Sequence, residues 1–336
     1  MQAFIAAIEY YLPEYALTNE TLAADYPDWS VAKIEEKTGI SVRRIAAEDE
    51  CSSDLGVKAA EKIFESGACG PDEIDYLLLC TQSPDYYLPT TACLMQDRLG
   101  IPRTAGALDF NLGCSGYVYG LGLAKGLIET GQARNILFIT AETYSKYIHQ
   151  GDKSVRTLFG DAASASLIQG GEGNECIGPF VYGTDGSGGK NLIVPAGGLR
   201  MVRSKETAQA VLDESGNLRS QENLYMNGSE IFTFTLNTIP GLVLDLLARS
   251  GKSLADIDLF VFHQANKFML EHLRKKCNLP EEKFYMSFEH SGNTVSSTVP
   301  IALKNAMNEN KIRAGDLAML VGFGVGYSWG ATLARM

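Results

Sequence analysis

Three residues in this sequence have the type and setting for nucleophilic chemistry. Cys114 follows the apolar run Ala107–Leu112 and opens the helical stretch Ser115–Thr130. A thiol at a helix N-terminus faces free backbone N–H groups and the positive dipole end, which favour the thiolate and can also hold an oxyanion. His263 closes the apolar run Leu259–His263, ahead of Gln-Ala-Asn, and is one of only four histidines. Few other groups can take a proton near neutral pH. Asn293 sits in His290-Ser-Gly-Asn-Thr294. Each also has an ordinary structural reading: a buried thiol, a satisfied histidine, and a turn or N-cap asparagine.

Other patterns are weaker. The glycine-rich end, Val321 to Gly330, can bring backbone amides close to a reacting oxygen, or can be a tight strand connection. Within it, Gly326-Tyr-Ser-Trp-Gly330 fits G-x-S-x-G, but only six residues follow, so Ser328 has no downstream acid and histidine to serve it. The chain order Cys, His, Asn is also that of papain-like proteases. Here the cysteine lies deep in the chain, the C-G-S-C-W signature is absent, and the surrounding pattern belongs to another architecture. No histidine pair has helical metal spacing, and no phosphate-binding glycine motif sits in its proper context.

The elements that must position these residues alternate between strand and helix. Ala3–Ile8, Ile74–Cys80, Ala107–Leu112, Ile136–Thr140 and Ala162–Ile168 read as strands in the first half, with helices at Thr90–Leu99 and Ser115–Thr130. In the second half, Leu259–His263, Phe284–Phe288 and Leu317–Gly322 read as strands, and Glu230–Ser250, Lys267–Asn278 and Ser297–Glu309 as helices. Glu73–Cys80 resembles Asp256–His263, and each is followed by a helix, a strand and a glycine-bearing turn. A duplicated α/β unit is expected, with halves 1–170 and 171–336 whose strand ends meet at a shared centre. Residues 199–224 are polar and aperiodic, a cap over the site or a solvent loop.

Composition narrows the class. The 336 residues carry 40 acidic and 29 basic side chains, a net charge of −11, which disfavours nucleic acid and anionic membranes as partners. No apolar run of bilayer length and no signal peptide is apparent. Seven scattered cysteines without a C-x-x-C pair read as reduced thiols in a cytoplasmic protein.

Together the segments resemble the β-ketoacyl-acyl-carrier-protein synthase III family of thiolase-fold condensing enzymes. The resemblance is carried, in order, by Leu108-Asp-Phe-Asn-Leu-Gly-Cys-Ser-Gly-Tyr117, Leu158-Phe-Gly-Asp-Ala-Ala163, Met226-Asn-Gly-Ser-Glu-Ile-Phe232, Phe262-His-Gln-Ala-Asn266, Gly292-Asn-Thr294 and Gly322-Phe-Gly-Val-Gly-Tyr-Ser-Trp-Gly330. It implies a layered αβαβα thiolase-like fold and a catalytic set of Cys114, His263 and Asn293. Thiolases have a second cysteine in the C-terminal motif, absent here. Elongating synthases have a second histidine where this chain has Asn293, and His290 is out of frame with it.

The resemblance further implies an acyl transfer from a CoA or carrier-protein thioester to Cys114, then a decarboxylative condensation with a malonyl-type thioester. No tightly bound cofactor or metal is implied. The oxyanion hole falls on the N–H groups of Cys114 and Val325, the latter in place of the family's usual glycine. Leu88, reaching into a partner subunit of a homodimer, and Phe323 are the implied acyl-pocket residues. Frame matching back from Thr38 puts Lys33 and Lys37 where well-known members sandwich the CoA adenine with Trp and Arg, and Lys153 or Arg156 near the third contact. Lysine lacks a stacking surface, so a carrier-bound donor is expected over free CoA. Lys267, Arg274, Lys275 and Lys276 form either a docking patch for an acidic carrier protein or a solvated helix face. The pathway is fatty-acid initiation or a specialised acyl or polyketide route. A non-decarboxylating acyltransferase and a catalytically silent carrier-binding partner are the alternatives.

Overall fold

A computed structural model describes residues 1–173 and 176–336. Two five-stranded sheets dominate it. The first holds β1 (Gln2–Tyr11), β2 (Tyr76–Cys80), β3 (Gly106–Phe110), β4 (Asn135–Glu142) and β5 (Ala162–Gly171), in the order β1-β5-β4-β2-β3. The second holds β6 (Ile177–Thr184), β7 (Leu259–Phe262), β8 (Phe284–Tyr285), β9 (Leu317–Gly324) and β10 (Ser328–Arg335), in the order β6-β10-β9-β7-β8. Adding five to each label of the first sheet gives the second. Pair directions repeat as well: the first two pairs of each sheet are antiparallel and the last two parallel. The duplication expected from the sequence is therefore present at the level of topology.

Helices cover both sheets. Ser52–Glu65 and Thr91–Arg98 pack on the outer face of the first sheet, and Gly228–Ser250 packs on that of the second, with Lys267–Lys276 against it. Gly116–Glu129 and Thr298–Asn308 lie between the sheets and touch both. The middle core accordingly mixes Leu78, Leu121 and Phe138 from one half with Val261, Leu303 and Leu320 from the other. Gly120 permits that packing, because a β-carbon there would sit 2.0 Å from the Phe138 ring. Strands covered on both faces read as continuous apolar runs, as in β4 and β9, where nearly every residue is buried.

Several elements differ from the sequence expectation. The helix Ser52–Glu65 and strands β6 and β10 were not apparent, and the strand expected at Phe284–Phe288 is only two residues long. One apolar stretch of near-bilayer length does exist. Among the described residues, Gly228–Ser250 is the one helix long and apolar enough to cross a membrane. Here one face of it, with Ile231, Phe234, Ile239 and Leu246, is buried in the core of the second half. Asn227 caps its start, and Gly251 (φ 64°) ends it.

Residues 199–224 are anchored to the rest of the chain by hydrogen bonds and ion pairs. They carry the hairpin Val211–Leu212 with Leu218–Arg219, and Arg219 pairs with buried Asp152 at 2.9 Å and with Asp213 at 2.7 Å. Leu218 N donates to Gly151 O and Leu224 N to Tyr147 O, tying the segment to the loop that leaves β4.

Candidate active site

Cys114 lies between the end of β3 and the helix Gly116–Glu129, and it is buried. The glycines of β9 bring the second sheet against it. A β-carbon on Gly324 would lie 2.8 Å from the Cys114 sulfur, and one on Gly322 would lie 2.7 Å from the Cys114 carbonyl oxygen. Only residues without a side chain allow that approach. The sulfur meets the backbone N–H groups of Val325 and of Cys114 itself.

His263 follows β7. Its N–H donates to Val321 O of neighbouring β9 at 2.7 Å, continuing the parallel ladder. The remaining residues of its motif hold the turn: Gln264 Oε1 accepts from Ser287 N, and Asn266 caps the helix Lys267–Lys276 through Met269 N. The imidazole is buried, edge-on to the Phe323 ring at 5.5 Å between centroids. Adjacent residues of β9, Phe323 and Gly324, thus touch His263 and Cys114 in turn, which brings the two together.

Asn293 is fastened at both backbone groups: its N–H donates to Leu158 O, and its C=O accepts from Gly160 N. Val295 N donates to Asn293 Oδ1 at 3.0 Å, which leaves the amide nitrogen free to donate to a substrate. Val295 itself has φ 55°, an uncommon conformation for a β-branched residue that marks the turn as held under strain. Three residues on, Thr298 Oγ1 lies 2.7 Å from His263 Nδ1. The Asn293 turn is thereby connected to the histidine.

Glu142, at the end of β4, is fully buried and was not apparent as a site residue in the sequence. It accepts from Gln82 N, Ser83 Oγ and Ser296 Oγ. Burial pushes its carboxyl up to about 8 despite those donors. Burial pushes the Cys114 thiol up to about 12, and the Glu142 carboxylate adds to the rise; the two backbone N–H groups oppose it without winning. This reverses the sequence expectation of a lowered thiol pKa, because desolvation of the anion outweighs the helix end. Burial likewise takes His263 down to about 3. The resting pair is a neutral thiol and a neutral imidazole.

A cavity of about 820 Å³ is walled by Gln82, Tyr86, Tyr144, Tyr147, Arg203 and Val325 among others; it meets the candidate site through Val325, while Cys114, His263 and Asn293 do not themselves line it. Leu224 and Arg203, from the polar segment 199–224, form part of its wall. Phe323 does not line this cavity, and Leu88, expected to reach a partner subunit's pocket, does not line that of its own chain. Phe323 is buried behind His263, and Leu88 projects outward, 83% exposed, from the loop after β2.

The expected entrance residues are dispersed. Lys33 and Lys37 lie on the helix Val31–Thr38, each with its ammonium 5.3 Å from the ring of Trp29. Trp29, four residues ahead of Lys33, thus presents a flat aromatic ring to both lysines. Arg156 is paired with Asp25 at 2.7 Å, and Lys153 reaches Gly216 O of the segment 199–224. Lys267 packs on Gly39 and stands 4.0 Å from Glu271, and Arg274 pairs with Glu281 at 2.9 Å. Lys275 and Lys276 are exposed.

A duplicated αβαβα fold with a buried cysteine at the meeting point of its two sheets defines a condensing acyltransferase of the thiolase-like class. Residues 108–186 match the family described as 3-oxoacyl-[acyl-carrier-protein] synthase III, and residues 247–336 match its C-terminal part. The chain is 39% identical to the beta-ketoacyl-[acyl-carrier-protein] synthase III of Clostridioides difficile, covering 99% of this chain and 98% of that one. It superposes on a crystal structure of a 3-oxoacyl-(acyl-carrier-protein) synthase III with TM-score 0.99 and 56% identity over the whole of both chains. Against a 3-oxoacyl-(acyl-carrier protein) synthase of Burkholderia xenovorans the TM-score is 0.91, at 36% identity, with 99% and 94% covered. The chain belongs to the β-ketoacyl-acyl-carrier-protein synthase III family.

Proposed function

We propose that the chain transfers an acyl group from a CoA or carrier-protein thioester to Cys114 and condenses it with a malonyl-type thioester. The observation that carries this reading is the buried Cys114 sulfur beneath the N–H groups of Val325 and Cys114, with Val325 also lining the neighbouring cavity. Those two donors are suited to the oxyanion of both tetrahedral steps, and such a donor is typically worth about 3–4 kcal/mol. His263 takes the thiol proton as the sulfur attacks. The imidazolium passes that proton to the departing thiolate, which leaves as the free thiol, and His263 returns to its neutral form. Loss of CO₂ from the second substrate then puts charge on its thioester oxygen, which His263 and Asn293 stabilise by donation. The new carbon nucleophile attacks acyl-Cys114; the C–S bond breaks as the ketone forms, and the released sulfur takes a proton from solvent to return as the resting thiol.

The high resting pKa of Cys114 and the low one of His263 keep the pair uncharged until a substrate and its oxyanion donors engage. Lys33, Lys37 and Trp29 form a nucleotide-binding entrance, which favours acceptance of free CoA thioesters, contrary to the expectation from lysine alone. Lys267, Lys275 and Lys276 on one helix suit an acidic carrier protein. We further infer a cytoplasmic homodimer of two-halved subunits divided near residues 170 and 171. Exposed Tyr86, Tyr87 and Leu88 and the open edge of β3, with Leu108 40% exposed, would form its contact.

The experiment is release of ¹⁴CO₂ from a carboxyl-labelled malonyl thioester in the presence of an acyl donor. Release that requires His263 and Asn293 supports condensation. Acyl transfer to an alcohol or amine without CO₂ favours the non-decarboxylating alternative, and neither activity favours the silent carrier-binding partner.

A further inference from the structure

We propose that Thr298 is a positioning residue that lets His263 present either a lone pair or an N–H at Nε2, one for each half of the reaction. The inference rests on the reading of His263 given above. Thr298 begins the helix Thr298–Asn308 and is 2% exposed. Its Oγ1 lies 2.7 Å from His263 Nδ1 and 3.0 Å from the carbonyl oxygen of Val295.

A hydroxyl has one proton to give. While it donates to Val295 O, Thr298 Oγ1 can only accept, so the single proton of the neutral imidazole sits on Nδ1. Nε2 then carries a bare lone pair, the form needed to take the Cys114 proton. Rotated toward the ring, the same hydroxyl donates to Nδ1, and the ring proton belongs on Nε2. That is the form needed to donate to the developing enolate oxygen. The exchange is neutral: one ring nitrogen takes up a proton and the other releases one. Burial favours the neutral ring, so the two roles are served by two tautomers and do not require a standing imidazolium.

The neighbourhood supports a rotor held in place. Ser296 donates to Glu142, Ser297 hydrogen-bonds Thr140, and Val295 is fixed in its strained conformation by Asn293. Around Thr298 the backbone is thus pinned, leaving the hydroxyl torsion as the soft coordinate. Nothing in the sequence pattern marks this threonine, since the turn residue and helix start around it are ordinary.

Thr298→Val keeps the shape and removes the hydroxyl, leaving Val295 O as the neighbouring acceptor for Nδ1–H. The expected result is Cys114 acylation near the wild-type rate with malonyl decarboxylation reduced about 100-fold or more, the scale of losing one enolate donor. Thr298→Ser restores decarboxylation. Imidazole ¹⁵N spectra show the Nδ1–H tautomer alone in Thr298→Val and a mixture in wild type. Equal loss of both half-reactions, no loss of either, or failure of serine to restore activity overturns the proposal. His263→Ala run in parallel separates the two levels: if it still decarboxylates at the wild-type rate, the reading of His263 itself is wrong.

Discussion

Ser296 and Glu142 join the two halves of the chain inside the site, Ser296 Oγ donating to Glu142 Oε1 at 2.8 Å. Glu142 ends β4 of the first sheet, and Ser296 stands three residues beyond Asn293 in the second half. The same carboxyl accepts from Gln82 and Ser83 after β2. One buried acid therefore ties together the strand ends that carry the chemistry, and its charge bears on the Cys114 thiol.

That arrangement makes stability depend on pH in a definite direction. Glu142 goes from 4.5 when unfolded to about 8 when folded, so between those values the folded state binds the extra proton. Its contribution is complete below pH 4.5 and is lost as pH rises through 8. The slope for one such group is at most about 1.4 kcal/mol per pH unit. His263 acts in the opposite sense, complete above 6.5 and lost toward 3, so the window from 6.5 to 8 isolates Glu142. Urea titrations across that window should show wild type losing stability with rising pH and Glu142→Gln flattened; parallel slopes would contradict the assignment.

The cysteine provides a second test. With its thiol pushed up to about 12, the thiolate fraction, and with it the iodoacetamide rate at Cys114, should climb about tenfold per pH unit from pH 7 to 10. Glu142→Gln removes the negative charge that the carboxyl carries above about pH 8 and should speed alkylation there, with little effect at pH 7. A rate that levels off below pH 8 would mean that the helix end and N–H donors outweigh burial after all.

Gly324 is a packing requirement of the site. A methyl group there would sit 2.8 Å from the sulfur and 2.9 Å from the β-carbon of Cys114. Gly324→Ala should lower acylation about 100-fold or more, as misplacing a reacting group does. Overpacking of this kind also costs about 1–3 kcal/mol of stability. Single-turnover acylation and thermal melting measure both, and a near-normal acylation rate would show that β9 yields.

Much of the candidate site is legible in the sequence, and for a physical reason. Cys114, His263 and Asn293 each stand where an apolar strand-like run gives way to polar or glycine-bearing residues, a boundary visible in one dimension. Trp29 does not stand out in the sequence as a neighbour of Lys33 and Lys37, because it lies just before the helix Val31–Thr38 and reaches both lysines only once that helix folds. Glu142 was missed because a lone glutamate ending an apolar strand looks like its solvent end. Its burial depends on Ser296, which lies 154 residues away. β10 reads as a glycine-rich connection, since Gly330 and Ser328 interrupt the alternation that β6 and β9 complete from either side.

Trp29 leads to a prediction about donors. Stacking of a base on an aromatic ring is worth about 1–3 kcal/mol by alanine substitution. Trp29→Ala should therefore raise KM for acyl-CoA by about 5-fold to 150-fold at nearly constant kcat. An acyl-carrier donor, which lacks the adenine, should be little affected. Equal changes for both donors would place Trp29 in a structural role.

The central claim is that Cys114 carries the acyl group. Intact mass of the protein after incubation with a panel of acyl-CoA and acyl-carrier donors tests it most directly, with Cys114→Ala as the control. An acyl-sized mass increase in wild type that is absent from Cys114→Ala is the predicted result. An adduct of the same mass on folded Cys114→Ala, or none on wild type with any donor in the panel, would contradict it.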